Sequence, residues 1–587
     1  MKLNPEQQIA VESSGNLFIR ACPGSGKTRV ITHKIAYNLE KMTSKNRRII
    51  AVTFTNRAAD QIFDRVNQMG IDTSQLWTGT IHSFCLEWII KPYSSFHPYL
   101  IKGFTVIDDA VREKMEKDLK EKYDIPLFEE LNFRIGKNGD YVCNINHKRA
   151  IEEFYAGLKE RKEINYDLML WFSYEILRRN HEIPKTLSAI FSLICVDEYQ
   201  DTQELQYAIL AEIIKNGAGK TEITYVGDPD QSIYESLGGI AKTKDEIESE
   251  QGIPLKELHL SGNYRTNQRI IDFYKNFQST PGDIVAVGPN KDEIGIITYN
   301  TSVDKKDIPK EISRIITLHI KNGVPEKEIC VLVPQWWLIR SITSNLKKLL
   351  PDVNFDATGM TPLSSQRENV WYKISRLFLT EPSPEMFHYR RRWANEIIED
   401  INTIKGNTEF GEENNPSKIL RAVNSVDCKH ENIVEYLEEC FNKFAERTSV
   451  FMTKSDMLVE KKNNYLEYVI KKTNDPDSSF PIETQACKNF YKERNGVLIN
   501  TCVGVKGEEF EVVIAYGILH GYLPHWNEII GKKDKGFNAS MKKLYVICSR
   551  AKNYLHLISE QGRETKTKKP LLPNSELNGI DFDFDEI

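Results

Sequence analysis

The sequence predicts an α/β protein with two parallel β-sheets, each covered by helices on both faces and each interrupted by a mainly helical insertion. Two observations predict this class. Short apolar runs of strand length alternate with helical patterns of apolar residues in two separate regions of the chain, which is typical of a parallel sheet with helices on both faces. Charged, mostly helical stretches divide each of these regions. The pattern therefore indicates a duplicated architecture.

Size and charge restrict the classes of protein to which the chain can belong. At about 150 residues per domain, 587 residues predict roughly four domain-sized units. The formal net charge of −5, from 78 basic and 83 acidic side chains, excludes a highly basic DNA-coating protein and a polyacidic tail protein. A nucleic-acid site remains compatible with this charge, because such a site needs only a local positive track.

The cysteine pattern and the hydropathy predict a reducing, cytoplasmic environment. The ten cysteines are scattered and none forms a CxxC pair, so we expect free thiols without a zinc or iron–sulfur framework. No apolar run approaches the roughly 18 residues that cross a bilayer, and the opening residues contain no apolar signal segment. We therefore expect no membrane partner.

The first strand pattern, Leu17–Ala21, leads into a glycine-containing loop that is typical of a phosphate site. The loop and the start of the following helix comprise Cys22, Pro23, Gly24, Ser25, Gly26, Lys27 and Thr28. A helix N-terminus after small residues presents backbone N–H groups to an anion. Lys27 adds a positive charge, and the Thr28 hydroxyl can ligate Mg²⁺. The usual pattern, GxxxxGK[ST], has a glycine where this chain has Ala21.

A later apolar run, residues 193–196, ends directly before Asp197 and Glu198. A carboxylate at a strand end can hold Mg²⁺, and the adjacent Glu198 can orient and deprotonate an attacking water. A solvated helix start would also favour carboxylates. The phosphate loop and this acidic pair each follow an apolar strand, and together they indicate a nucleotide hydrolase.

The remaining apolar runs set the predicted limits of the units. A second α/β pattern starts near Gly295 and resumes at Val497 after a charged helical region. We expect the following ranges: a first α/β unit of 1–84 and 195–280, its insertion 85–194, a second α/β unit of 281–350 and 497–562, its insertion 351–496, and a flexible tail 563–587.

Further motifs follow along nearly the whole chain in a fixed order. They are Leu3–Gln7, Ala21–Thr28, Thr53–Asn56, Thr78–Phe84, Asp197–Asp201, Val226–Tyr234, Asn263–Thr266, Val505–Phe510 and Leu544–Ala551. In this order they resemble the motifs of the UvrD/Rep/PcrA-like superfamily 1A DNA helicases. The resemblance implies two RecA-like P-loop domains, 1A and 2A, with the insertions 1B and 2B.

The resemblance also implies roles at an ATP and Mg²⁺ site. The catalytic residues would be Lys27, Asp197, Glu198, Gln231, Arg265 and Arg550, and the nucleotide-binding residues Gln7, Pro23, Gly24, Ser25, Gly26, Lys27, Thr28, Arg29, Tyr264 and Glu509. Among these, Gln7 would contact adenine, Tyr264 would stack on it and Glu509 would bind the ribose. Thr28 and Asp197 would be the Mg²⁺ ligands.

For DNA, single-stranded or at duplex ends, the resemblance implies a separate group of contacts. Its members are Phe54, Thr55, Asn56, Thr80, His82, Phe84 and Tyr234. A core position is the alternative for Phe54 and Phe84, and a buried histidine is the alternative for His82. Trp336 and Trp337 could also stack on bases, but we expect this pair to pack on the sheet at a helix start.

Departures from the family pattern bear on the expected activity. The family activity would be ATP-dependent 3′→5′ translocation or unwinding, but Glu235, Ser236 and Leu237 replace a commonly aromatic run, and Val503 replaces a common histidine. The segment 520–526 resembles the helicase subunit of the Gabija antiphage defence system, which implies a complex with a GajA-like OLD-family nuclease. The alternatives are a DNA-sensing NTPase subunit that controls such a nuclease and a stand-alone DNA-repair helicase.

Overall fold

The chain folds around two six-stranded parallel sheets. The computed structural model describes residues 3–107, 109–127, 129, 131–235, 238–280, 282–356, 369–405, 415–448, 456–474, 482–489, 491, 495–529, 533–565 and 567–586. The strands of the first sheet are β1 (Leu17–Ala21), β2 (Arg48–Thr53), β3 (Leu76–Thr80), β4 (Phe191–Asp197), β5 (Glu222–Gly227) and β6 (Lys256–Leu260). Those of the second are β7 (Ile296–Asn300), β8 (Ile329–Val333), β9 (Phe355–Asp356), β10 (Val497–Thr501), β11 (Phe510–Tyr516) and β12 (Ala551–Ile558).

Every pairing within the two sheets is parallel. The first sheet has the order β6-β1-β5-β4-β2-β3 and the second the order β7-β12-β11-β8-β10-β9. The carboxyl ends of the strands in each sheet therefore share one edge, where ligands bind in open parallel sheets. This arrangement confirms the predicted α/β class.

Helices cover both faces of each sheet and make up most of the insertions. The longer helices are α1 (Pro5–Glu12), α2 (Lys27–Lys41), α3 (Asn56–Gln68), α4 (Asp109–Lys122), α5 (Lys148–Arg161), α6 (Tyr166–Arg179), α7 (Glu182–Ile190), α8 (Glu204–Asn216), α9 (Lys244–Gln251), α10 (Gln268–Lys275), α11 (Ile308–Lys321), α12 (Leu338–Leu349), α13 (Val370–Leu379), α14 (Pro384–Lys405), α15 (Pro416–Asn424), α16 (Ile433–Arg447), α17 (Asp456–Asn474), α18 (Thr484–Asn489) and α19 (Lys533–Cys548). Short helical segments are Ile81–Phe84, the π-helical Cys85–Ile90, Lys91–Tyr93, Trp526–Ile529 and Ser575–Asn578.

Alternation along the strands builds a core on each face of each sheet. Neighbouring residues of β2 illustrate it: Ile49 belongs to the cluster that packs on α2, whereas Ile50 belongs to the cluster on the opposite face. In β8, Val331 and Leu332 divide in the same way between the two faces of the second sheet. Successive side chains of a strand point to opposite faces, so a strand that is apolar throughout is buried on both.

The two insertions differ in how their cores relate to the sheets. Helices α5 and α6 of the first insertion contribute to the same apolar cluster as Ile50 of the first sheet. In contrast, α13 to α18 form a cluster of their own. Polar pairs join this second insertion to the rest of the molecule, including Arg392 with Asp60 and Lys471 with Glu113. The residue limits of the predicted domains stay a prediction.

The end of the chain does not form the flexible tail that we expected. Phe582 and Phe584 pack against Phe273 of α10, with ring centroids 4.8 and 5.7 Å away. The Asp585 carboxylate accepts bonds from Arg269 at 2.7 Å and from the backbone N–H of Ile297 at 2.8 Å. Apolar burial and a charge-assisted pair therefore hold this segment, which corrects the prediction.

Two histidines meet inside the second α/β unit. His319 of α11 and His556 of β12 lie with their Nε2 atoms 2.8 Å apart, and both are almost completely buried. Burial lowers the pKa of His319 to about 4 and, together with the neighbouring His319, that of His556 to about 3. Both rings are therefore neutral at physiological pH.

Because of this histidine pair, the second sheet is expected to become less stable in acid. A histidine in the unfolded chain binds a proton near pH 6.5, whereas the folded pair stays neutral to lower pH. The free energy of unfolding should therefore fall as the pH drops from about 6.5 towards 4. Hydrogen-exchange protection factors of β7 and β12, corrected for intrinsic pH effects, would measure this. The variant H319L/H556L should show a flatter pH profile than wild type, whereas H259Q, on an exposed side chain, should not; equal slopes in all three proteins would contradict the prediction.

Candidate functional site

The loop between β1 and α2 is shaped for a close approach to an anion. Gly24 and Gly26 have φ values of +68° and +81°, in the left-handed region that favours glycine. A Cβ atom at Gly24 would lie 2.7 Å from Oδ1 of Asn263 and 2.8 Å from Cβ of Arg265. The loop therefore needs glycine for both its conformation and its surroundings. Pro23, Ser25, Lys27, Thr28 and Arg29 lie in this loop or in the first turn of α2.

Gln7 lies against the same loop. Its Nε2 donates to the Ser25 carbonyl at 2.9 Å, and its Oε1 accepts from the Asn4 N–H at 3.2 Å. The Asn4 side chain caps α1 through the Gln7 N–H in return. The preceding residue, Glu6, accepts bonds from the N–H and hydroxyl of Ser261. The structure thus brings Gln7 to the phosphate loop, and its contact with adenine stays a prediction.

Two adjacent carboxylates with opposite pKa shifts stand at the end of β4. Burial, with the nearby charge of Glu198, raises the pKa of Asp197 to about 7. Burial would also raise the pKa of Glu198, but the positive charges of Lys27 and Lys506 hold it below its usual value. Glu198 is therefore ionised at neutral pH, as a base must be, whereas Asp197 is a desolvated carboxyl that a cation would stabilise.

These residues fit a magnesium ion better than a metal held by protein alone. Among the residues that the structure describes, no group of three or more His, Cys, Asp or Glu side chains could hold a metal ion. Mg²⁺ usually takes one or two protein oxygens and completes its shell with waters and phosphate oxygens. The buried Asp197 carboxyl and the Thr28 hydroxyl supply the type of ligand that this mode requires.

Arg550 joins the two sheets at the centre of the site. Its guanidinium is almost fully buried and donates to Oε1 of Gln231 at 2.9 Å, across the cleft. Gln231 in turn donates to the Asp228 carboxylate at 2.7 Å. Burial lowers the pKa of Arg550 to about 9, which still leaves it charged at neutral pH. A positive charge therefore stands beside Gln231, one of the predicted catalytic residues.

Arg265 makes a second bridge between the sheets. Its Nε donates to Oε2 of Glu509 at 2.8 Å, and Nη1 donates to the Ser549 carbonyl at 2.8 Å. The N–H of the preceding Tyr264 donates to the Gly24 carbonyl at 2.9 Å. The predicted nucleotide residues of both α/β units are thus brought into one cleft.

Lys506 is a residue of this cleft to which we assigned no role from the sequence. Its Nζ donates to Oδ2 of Asp201 at 2.5 Å and to the Gln231 carbonyl at 2.6 Å, and the ion pair is almost completely buried. Nζ also lies 5.2 Å from the ring centroid of Tyr234. The lysine lies within a quoted motif, but no local pattern points to a partner 305 residues away.

The predicted DNA residues other than Phe84 lie at or after the carboxyl ends of strands β2, β3 and β5 in the first sheet. The rings of Phe54 and Tyr234 lie 4.3 Å apart, and Phe54 is 39% exposed. A cleft of about 540 Å³ is lined by Phe54, Thr80, His82, Tyr234, Asp197 and Glu198. Thr55 caps α3, and Asn56 is its first residue. Burial lowers the pKa of His82 to about 4.

Phe84 is the exception and requires a correction. Its side chain is 0% exposed and packs between Trp77 and Phe191, with ring centroids 5.9 and 5.7 Å away. The core alternative for this residue therefore describes its position. Phe84 supports the wall of the cleft but does not reach a ligand.

Comparisons with known proteins agree with this arrangement. Residues 3–250 match the family of the UvrD/REP helicase N-terminal domain. The chain is 24% identical to the ATP-dependent DNA helicase PcrA of Staphylococcus epidermidis, over 96% of this chain and 84% of that protein. PcrA of Staphylococcus aureus is also 24% identical, over 96% of this chain and 83% of its own length. These findings support a UvrD/Rep/PcrA-like superfamily 1A helicase.

The similarity to known helicases extends over the second sheet as well as the first. The matched family model ends at residue 250, whereas the similarity to the PcrA proteins covers most of the chain. In the part of the chain that the structure describes, no helix is both long enough and apolar enough to cross a membrane.

Replacement of Gly24 by alanine is expected to weaken ATP binding by at least about tenfold. The added Cβ would meet backbone strain of about 1–2 kcal/mol and a collision with Asn263 and Arg265, and each 1.4 kcal/mol is tenfold in affinity. Calorimetric titration with ATP would measure it. Gly219 is the matched control, because its φ is +76° and no atom lies within 4 Å of an added Cβ; G219A should bind ATP like wild type. Unchanged affinity in G24A would exclude this loop as the phosphate site.

Loss of the Lys506 ammonium is expected to destabilise the junction of the sheets. A buried charge left without its partner costs about 3–5 kcal/mol, while removal of both charges is close to neutral. K506M should therefore unfold at a lower temperature than the K506M/D201N double variant. K542M is the control: it breaks the pair of Lys542 with the more exposed Glu235, which should cost at most about 1 kcal/mol. If the loss of stability in K506M/D201N equalled the sum of the losses in K506M and D201N, the pairing would be refuted.

Proposed function

We propose that this helicase hydrolyses ATP with Mg²⁺ and uses the cycle to move 3′→5′ along single-stranded DNA and to separate strands. The observation that carries the proposal is the set of bonds across the cleft, in which Arg550 reaches Gln231 and Arg265 reaches Glu509. Groups from both α/β units therefore meet where ATP would lie. A substrate that binds such a cleft closes it, and its hydrolysis lets the cleft open.

Each residue of the cleft has a chemical task in the proposed reaction. The backbone of the loop at Gly24 and the Lys27 ammonium hold the phosphates of the substrate. Glu198, ionised because of the nearby cations, orients a water and takes its proton. Arg265 and Arg550 face the negative charge that grows on the transferred phosphoryl group. Mg²⁺, when bound, neutralises phosphate charge, and Thr28 and Asp197 are the residues that hold it.

Lys506 connects the hydrolytic residues to the proposed DNA surface. It binds Asp201, three residues after the catalytic Glu198, and lies over the ring of Tyr234. Tyr234 in turn contacts Phe54 and, through its hydroxyl, the Val503 carbonyl at 3.5 Å. Any change in the distance between the sheets must therefore alter the surroundings of Tyr234, which offers a physical route from hydrolysis to DNA movement.

A second function is favoured by the residue that follows Tyr234. Glu235 is acidic, and its carboxylate pairs with Lys542. An aromatic run at this position would have supplied stacking of about 1–3 kcal/mol per base. Ser236 and Leu237 lie outside the described residues. With weaker stacking here, the chain could sense DNA for an OLD-family nuclease of an antiphage complex of the Gabija type and unwind little by itself.

ATP hydrolysis by the purified chain tests the proposal. We expect strong stimulation by single-stranded DNA. E198Q should lower kcat by about 10²–10⁴-fold, because general base catalysis contributes this much, and should keep ATP binding; K27A should lose both. E182Q, on an exposed side chain, is the matched control. Turnover at the wild-type rate in E198Q would exclude the assigned base.

The DNA substrate separates the two functions. A motor that moves 3′→5′ should displace a strand from a duplex with a 3′ single-stranded tail and not from one with a 5′ tail. Negligible displacement from both, with ATP binding intact and a copurifying OLD-family nuclease whose cleavage depends on ATP, would instead establish the sensing subunit.

A further inference from the structure

Trp336 and Trp337 are exposed to solvent, contrary to our expectation that they pack on the sheet. The two side chains are 51% and 62% exposed, because they stand in the connection between β8 and α12, beyond the last residue of the strand. An apolar surface alone does not identify a ligand. A polar cavity beside the phosphate loop does, because its groups define the chemistry that it can bind.

This cavity, of about 320 Å³, lies beside the start of the phosphate loop. Ile19 and Ala21 of β1 point to the face of the first sheet that packs on α2, so Arg20 between them points to the opposite face. Arg20 and Cys22 line the cavity, and residues from the connection after α10, together with Tyr545 of α19, close it. The cavity therefore has walls from both α/β units and lies on the face opposite α2, whose N-terminus would hold the phosphates of ATP.

Carboxylates dominate the charged groups on the cavity wall. The four are Glu6, Asp228, Asp230 and Asp283. The basic side chains on the wall, Arg20 and His259, lie 3.7 and 3.6 Å from the carboxylate of Glu257, which does not line the cavity. Burial raises the pKa of Asp228 to about 6 despite the positive charge of Lys27. An excess of negative charge therefore remains, which a cationic ligand would neutralise.

The Tyr545 hydroxyl is a second and independent sign of a ligand. Tyr545 is 1% exposed, and its ring packs against Tyr274 with centroids 5.2 Å apart. Burial, followed by the charge of Asp228, raises the pKa of Tyr545, so the hydroxyl lies within electrostatic reach of that carboxylate. Among the residues that the structure describes, no group forms a hydrogen bond with this hydroxyl. Because buried polar groups in proteins are hydrogen-bonded, a molecule inside the cavity is needed to complete it.

The groups on the wall match a primary ammonium group. An ammonium group has three N–H donors and no acceptor, and the wall offers carboxylate oxygens together with the Tyr545 oxygen. A metal ion does not fit, because no group of three or more His, Cys, Asp or Glu side chains in the described part of the chain could hold one. Asp228 is buried whereas Asp283 is exposed, so the negative charges lie at an inner and an outer position. Two ammonium groups on one ligand would match both.

We propose that this cavity binds an aliphatic diamine, with one ammonium group between Asp228 and Tyr545 and the other at Asp283. The carbon chain would lie against Leu260 and Ile284, which also line the cavity. Asp228 accepts the bond from Gln231 at 2.7 Å, so the bound ammonium group shares this carboxylate with a predicted catalytic residue. A bound diamine therefore weakens the hold on Gln231 and slows ATP hydrolysis. The binding is independent of the proposed function, whereas the effect on hydrolysis rests on it.

Calorimetric titration of the full chain with putrescine, without ATP or DNA, tests the site. Butylamine has the same carbon chain with one ammonium group, and butanediol has none, so the three ligands form a matched series. Putrescine should bind about two- to fivefold more tightly than butylamine, the worth of one exposed ion pair, and butanediol should not bind. Added salt should weaken the binding of putrescine. Equal affinity for putrescine and butanediol would overturn the proposal.

Variants of the two ends of the cavity locate the ligand. Y545F keeps the ring and should bind putrescine at least about tenfold more weakly, because a hydrogen bond to a charged group is worth this much. D283N should bind putrescine only as tightly as butylamine and leave the affinity for butylamine unchanged. Y299F removes a hydroxyl outside the cavity and E182Q an exposed carboxylate elsewhere, so both should bind putrescine like wild type.

Thermal unfolding without ligand checks that the Tyr545 hydroxyl serves no protein partner. Y545F should unfold at the wild-type temperature or above it, since the change removes a buried polar group that the protein itself does not satisfy. A lower unfolding temperature would show a structural bond to this hydroxyl and would overturn its assignment to a ligand. Wild-type affinity for putrescine in Y545F would overturn it as well.

ATP hydrolysis separates this inference from the proposed function. Putrescine should lower the wild-type kcat by about two- to tenfold, the worth of one hydrogen bond to Gln231, and butanediol should not. D283N should keep the rate measured without ligand and respond less to putrescine. If single-stranded DNA stimulates hydrolysis but putrescine does not bind, this inference is wrong and the proposed function stands. If putrescine binds but the chain hydrolyses no ATP, the proposed function fails and the site stands. Binding of putrescine with an unchanged kcat would overturn the coupling through Asp228.

Discussion

The buried guanidinium of Arg550 is the interaction on which the rest of the site depends. Its acceptors are the Val546 and Glu508 carbonyls, the Ser549 hydroxyl and, across the cleft, the side chain of Gln231. A buried charge is costly unless every bond that it can make is made. The sheets can therefore separate at this point only if water or an anion takes the place of Gln231, so the ligand state of the cleft and the distance between the sheets are linked.

The charges of the cleft explain how one environment gives neighbouring carboxyl groups different properties. Asp197, Asp201 and Asp228 are all raised in pKa, mainly by burial, to about 7, 6 and 6. Burial would raise the pKa of Glu198 as well, but the charges of Lys27 and Lys506, a hydrogen bond from Gln200 and the charge of Arg550 together hold it below its usual value. The balance between burial and the sum of nearby cations and hydrogen bonds therefore decides which of these carboxyl groups can act as a base.

Local sequence predicted those parts of the site that are built locally. The phosphate loop and the Asp197–Glu198 pair each follow an apolar strand, so their place on the carboxyl edge of a parallel sheet could be inferred from order alone. Side-chain direction could not: Phe54 and Phe84 stand in similar patterns, but Phe84 lies in a helical turn whose buried face meets Phe191. The role of Lys506 depends on a partner 305 residues away. The end of the chain did carry a signal, because the alternation of Asp and Phe from 581 to 585 is the pattern of a half-buried extended segment.

The separate cores of the two insertions have a mechanical consequence. The helices of the first insertion share one apolar cluster with the first sheet, so any rotation between them would expose that cluster to water at about 25 cal/mol per Å². The second insertion encloses its own cluster. Its described contacts with the rest of the molecule include the ion pairs of Arg392 with Asp60 of the first α/β unit and of Lys471 with Glu113 of the first insertion. Exposed pairs such as Lys471 with Glu113 can be replaced by water and salt at little cost. The first insertion must therefore move together with the first sheet. The second insertion can take a new orientation without exposing its own core.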